Sequence, residues 1–213
     1  ARRQRQMCIR DRAACMAYGL SSEKKDGKWL VFDFGGGTFD AALVKVEDGI
    51  LTVFDTEGDN YLGGKNLDEA VVNKILMPSL KEDYALSSYE TTEWKKKALI
   101  DALKGPAEEM RIALSFADSA DYSTYDRNLN LGQDDNGEEI DLEITINKDQ
   151  LIDAVGEQYK KAVGICKKLL ERNGLTGKDL SSLILVGGPT YSPIIRDMLK
   201  AEITANVDTS INP

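Results

Sequence analysis

Hydrophobic and polar residues are spaced along this chain in ways that mark out most of its elements. Trp29 to Phe34, Thr38 to Val46 and Ile50 to Thr56 are apolar-rich runs that predict three strands. Gly35-Gly36-Gly37 joins the first pair and Glu47-Asp48-Gly49 the second. Both joins are short and carry glycine, so consecutive hairpins are expected. After Gly63-Gly64, the residues Leu67, Val71 and Ile75 form one apolar helical face. Asn66 and Glu69 are spaced as a capping box, and the helix is expected to stop before Pro78. A second helical pattern covers about Thr91 to Ser115. Gly105-Pro106 lies inside it, and because proline removes a hydrogen bond and crowds the preceding turn, a kink or two helices are expected. Residues 120 to 146 are strand-like. Ile140, Leu142, Ile144 and Ile146 alternate with Asp141, Glu143 and Thr145, the pattern of a half-buried strand, and Asp134-Asp135-Asn136-Gly137 supplies the turn before it. Asn147 with Gln150 opens the strongest helix, apolar at Leu151, Val155, Tyr159, Ala162, Cys166 and Leu169 and closed by Asn173-Gly174. Leu183 to Val186 reads as a buried strand, and Ser192 as the cap of a helix that begins at Pro193.

This order predicts a split outer domain, residues 13–63 plus 148–213, interrupted by an α+β segment at 64–147. Ala13 to Leu20 reads as the last turns of a helix, followed by a charged turn from Ser21 to Lys28. Residues 1–12 stand apart: five Arg against one Asp in a chain whose net charge is −9. No apolar signal core follows them, so they read as a foreign segment such as a cloning scar or an assembly artefact rather than a targeting arm. The acidic balance argues against a general nucleic-acid or membrane-surface binder. No run approaches the length of a bilayer crossing. The chain has no His, which removes imidazole bases, Ser-His triads and His-based metal sites. Cys8, Cys15 and Cys166 are odd in number and lack CxxC spacing, so a reducing, cytoplasmic compartment is the expectation.

The stretch that carries chemistry is Asp33-Phe34-Gly35-Gly36-Gly37-Thr38-Phe39-Asp40. Three glycines let backbone N–H groups approach an anion with no Cβ in the way. Asp33 at a strand end can hold the water shell of a metal ion, and the Thr38 hydroxyl can reach a terminal phosphate or a water beside it. Together these are the parts of a site for nucleotide phosphates with Mg2+. A P-loop and a Rossmann loop both need a helix directly after the glycines; here a strand pattern follows. Gly187-Gly188, after a buried strand and before a helix, is a second place where a ligand can approach backbone.

These motifs, with Gly58-Asp59-Asn60-Tyr61-Leu62-Gly63-Gly64, Leu67-Asp68, Leu185-Val186-Gly187-Gly188-Pro189-Thr190 and Ser210-Ile211-Asn212-Pro213, resemble the heat-shock protein 70 (DnaK-type) chaperone family from about Ala13 to Pro213. The resemblance implies an α/β fold: the second lobe of an actin-like (ribonuclease H-like) ATPase domain, with a mixed sheet and an inserted α+β subdomain. It implies ATP or ADP with Mg2+ as cofactors. Asp33 would hold Mg2+ through water, Gly35, Gly36 and Gly37 would contact phosphates, and Thr38 would sit near the γ-phosphate and attacking water. Gly64 and the Gly187-Gly188 turn would approach the nucleoside, and Glu108, Arg111 and Ser115 match ribose and adenine contacts. Nucleotide-exchange and J-domain co-chaperones are implied as partners.

Departures from the family pattern are Ile112 and Tyr191 where arginines flank the adenine, Pro189 for a usual serine, and Lys65 for an acidic residue. Tyr191 could still stack on a base. Arg10 aligns with a catalytic-site glutamate. The resemblance also implies a first ATPase lobe and a peptide-binding domain in the parent protein that have no counterpart in these residues. The parent is therefore expected to be an ATPase, while these 213 residues alone would not turn over ATP. Two other classes compete: a sugar or acetate kinase lobe of the actin-like superfamily, and a non-catalytic interaction module that kept the fold.

Overall fold

A computed structural model of the chain describes residues 26–204 and 206–208. The first 25 residues, including the helical turns expected before Leu20, and the closing Ser210-Ile211-Asn212-Pro213 lie outside the described residues. Two compact units are present: the described part of Ala1–Gly64 with Gln158–Pro213, and Lys65–Glu157.

The first unit is built on a five-stranded mixed sheet of order β3-β2-β1-β6-β7. β1 (Gly27–Phe34), β2 (Phe39–Glu47) and β3 (Ile50–Asp59) form the antiparallel meander. Asp48 and Gly49 both take positive φ in its second turn, as a two-residue hairpin that follows the strand twist requires. β6 (Ser182–Val186) lies parallel to β1, and β7 (Val207–Asp208) parallel to β6. β1 is apolar on both faces because both are buried. Trp29 and Val31 join Ala42, Val44, Val46 and Ile184 on one face. Phe32, Phe34 and Phe39 lie on the other, with ring centroids 4.7 to 6.1 Å apart. The sheet's polar break is Asp33, in register with Asp40 on β2 and Val186 on β6.

The second unit contains α1 (Gly64–Val71), a π-helical turn (Val72–Leu76), α2 (Met77–Asp83), α3 (Ser87–Thr91), α4 (Glu93–Ala113) and the hairpin of β4 (Ser119–Ser123) with β5 (Glu143–Asn147). α5 (Lys148–Arg172) carries the chain from this unit back to the first. Its start is a reciprocal cap: the Gln150 N–H donates to Asn147 Oδ1 and the Asn147 N–H to Gln150 Oε1, each at 3.0 Å. The six apolar positions read from Leu151 to Leu169 are all buried. Gly174, at φ +63°, ends the helix. A 3₁₀ turn (Gly188–Tyr191) and α6 (Pro193–Glu202) follow β6.

Several local expectations are corrected. Helix does not stop at Pro78: the π turn ends with the Met77 N–H donating to the Val72 carbonyl, and Pro78 then falls in the first turn of a new α-helix, where its missing N–H costs little. The helix starts at Gly64, two residues before the expected Asn66 cap. α4 runs through Pro106 as one helix rather than two; the buried stripe Leu99, Leu103, Ala107 and Met110 outweighs one lost hydrogen bond. Thr38 is in the turn, not in β2. The β4–β5 ladder starts only at Glu143, because the Thr124 hydroxyl accepts the Leu142 N–H at 2.9 Å in place of a ladder carbonyl. Ser192 occupies the cap position of α6, but its side chain makes no capping bond there.

Candidate functional site

β1 and β6 run parallel and end side by side, so the turns that follow them emerge at one edge of the sheet. The first is Gly35-Gly36-Gly37-Thr38, closed by the Gly35 N–H donating to the Thr38 carbonyl at 2.9 Å. The second is Gly187-Gly188. Gly187 takes φ +96°, and a Cβ there would overlap the Phe34 carbonyl oxygen and come within 3.5 Å of Asp33 Oδ1. The two turns therefore touch, with the Asp33 carboxylate beside them.

A third segment backs the first turn. The Gly64 N–H donates to the Gly35 carbonyl at 2.9 Å. A Cβ at Gly63 would sit 2.5 Å from the Gly37 backbone, so only glycine allows that approach. A Cβ at Gly64 would lie 3.3 Å from the Pro189 ring. The segment is fixed by Asp59, which accepts from Lys161 Nζ at 2.6 Å and from the Tyr61 N–H at 2.8 Å. The Lys161 ammonium, then the Tyr61 N–H, hold the Asp59 carboxyl below the usual range.

Gly36 and Gly37 differ from the other glycines. Neither takes a positive φ, and a Cβ on either would meet no atom within 4 Å. Among the described residues their N–H groups donate to no acceptor. Gly188 has the same open space. Nothing inside the fold requires glycine at these three positions, and both turns are accessible there.

Tyr191 is half-buried, with the Arg196 guanidinium 5.7 Å from its ring centroid. The residues singled out on α4 and just after it lie in the second unit, Ser115 beyond the helix rather than on it as expected. Glu108 is exposed; Ser115 donates its hydroxyl to the Arg111 carbonyl at 3.3 Å. Arg111 is buried, with Nε 2.7 Å from Asp68 Oδ1 and Nη2 3.9 Å from Glu108. Burial raises the Asp68 carboxyl above its ordinary range, and the Arg111 hydrogen bond opposes that. Sequence reading missed Asp68, Asp59 and Lys161 as site supports. Their partners lie 43 and 102 residues away, beyond any periodic pattern.

A mixed sheet whose adjacent parallel strands end in glycine turns, one with a carboxylate at its base, defines an α/β protein with a backbone-lined edge site. The family model described as Hsp70 protein matches residues 10–213. The chain belongs to the Hsp70 family, a family of chaperone ATPases that bind nucleotide, and membership implies the actin-like ATPase fold with which the mixed sheet agrees. Among the described residues no helix is long and apolar enough to cross a membrane.

Proposed function

We propose that the paired turns of the first unit hold the phosphates of ATP or ADP with Mg2+, and that ATP hydrolysis there is coupled to protein folding in the complete chaperone. The observation that carries this is the pair Gly36 and Gly37: glycines with no internal steric reason, open space in front, and N–H groups with no acceptor among the described residues. Such N–H groups donate to phosphate oxygens. Asp33, in register with Asp40, places a carboxylate at the base of the first turn. Asp33, beside both turns, is the residue that would hold Mg2+ through water. Mg2+ supplies charge neutralisation at the phosphates when bound. Thr38, at the exit of the turn, orients a water through its hydroxyl, and Gly188 keeps the second turn open to the nucleoside side. Tyr191 offers a ring face there. Glu108 and Ser115 are assigned to the nucleoside by family resemblance; Arg111, buried against Asp68, is assigned to holding α4 in place for them.

The segment of about 64–147 is assigned as an inserted subdomain of an actin-like lobe, a reading that the compactness of Lys65–Glu157 supports. Nucleotide-exchange and J-domain co-chaperones are the partners this reading implies, in a reducing, cytoplasmic setting. Gly36→Val tests it. Its Cβ meets nothing within 4 Å and the position is exposed, so the melting temperature should stay within about 2 °C of wild type. Calorimetric titration with Mg·ADP should show at least a tenfold loss of affinity. Equal affinity of the two proteins would overturn the assignment.

A further inference from the structure

Tyr159 is 1% exposed, on the buried face of α5 beneath both glycine turns. Its ring centroid is 5.6 Å from that of Phe34, the residue that leads into Gly35. Its hydroxyl donates to the Pro189 carbonyl at 3.2 Å, just after Gly187-Gly188. The same carbonyl accepts the Ser192 N–H in a longer bond at 3.3 Å. The Pro189 ring in turn abuts Gly64, whose N–H holds the Gly35 carbonyl.

A buried hydroxyl needs a partner, and an apolar helix face can be built without one. Phenylalanine would fill this position and keep the ring contact. We infer that Tyr159 is a positioning residue that sets the spacing between the two glycine turns: its ring fixes the first through Phe34, and its hydroxyl fixes the second through Pro189. For its effect on ligand, this rests on the nucleotide reading above. Without the hydroxyl the second turn keeps its fold but loses one of its ties to the first, so a ligand held by both is bound less well.

The test is Tyr159→Phe in the full 213-residue chain, compared with Val163→Ala one turn along the same buried face. Mg·ADP affinity should fall about fivefold in Tyr159→Phe, the effect of one net hydrogen bond. Val163→Ala should lose more thermal stability and leave affinity within twofold. Independently of any ligand, hydrogen exchange should quicken in Tyr159→Phe at the bonded amide of each turn, Gly35 and Thr190 together, with the centre of β2 unchanged. Unchanged exchange in either turn overturns the inference. So does an affinity loss that tracks thermal stability across both variants. If wild type binds no Mg·ADP, the nucleotide reading falls, while the exchange result still decides whether Tyr159 couples the turns.

Discussion

Gly36 and Gly187 are glycines for opposite reasons. At Gly187 the cause is internal: positive φ, and a Phe34 carbonyl where a Cβ would lie. Gly187→Ala should therefore destabilise the fold by about 2 kcal/mol or more, read as a lower denaturation midpoint. At Gly36 no internal cause exists, and substitution should cost binding rather than stability. In the sequence both glycines are equally visible, and what separates them is space, which only the packed backbone defines. Arg111 teaches the same lesson. Its helical position is legible, but its partner Asp68 is set by tertiary packing. Arg111→Met should leave a buried, ionised Asp68 and cost about 3–5 kcal/mol at neutral pH. Because burial raises the Asp68 carboxyl, the folded state takes up its proton more readily than the unfolded chain does. The penalty is present above the folded pKa and relieved below it, so the deficit measured by urea unfolding should shrink as the pH is lowered. A deficit that does not depend on pH would contradict this.

At the scale of elements, the end of α5 clasps the edge strand. Arg172 donates Nε to Asp55 Oδ2 at 2.7 Å and Nη2 to Asp55 Oδ1 at 2.9 Å, and its Nη1 reaches Glu57. Arg172 Nη2 also donates to the Thr56 carbonyl at 2.8 Å, while Asp55 Oδ1 accepts the Thr56 N–H at 2.9 Å. Both main-chain groups of Thr56 are thus occupied by side chains, one of the ways a free strand edge is kept from pairing with another chain. The Arg172 hydrogen bond, the largest cause, holds the Asp55 carboxyl at about 2. Its folded value is depressed, so the clasp's contribution is present above the ordinary 3.8 and is lost as pH falls through about 2. The melting-temperature gap between wild type and Asp55→Asn should be constant above about pH 5 and shrink to a small fraction of that by about pH 2. A gap undiminished at about pH 2 would show that the clasp is not electrostatic. The strand and the helix are both legible from their periodicity. Their clasp, 117 residues apart in sequence, is not. The misread Pro78 has the same origin: a local rule stops the helix there, and burial of Leu80 carries it on; at Pro106, where a kink or two helices are expected, burial of Leu103 and Ala107 keeps one helix.

At the scale of the whole molecule, hydrophobic period alone outlines the meander, the long helix and the buried strand that returns beside β1. What it does not supply is the parallel pairing of β1 with β6, which brings two distant glycine turns to one edge of the sheet. These turns are proposed to hold nucleotide phosphates. The most direct measurement is amide chemical-shift mapping of the 15N-labelled chain titrated with Mg·ADP, with Mg·adenosine as control. Shifts should concentrate at Gly35–Thr38 and Gly187–Gly188 with ADP, with little change at Gly35–Thr38 with adenosine. Saturable binding that leaves Gly36 and Gly37 unmoved, or no binding at millimolar ADP, would contradict it.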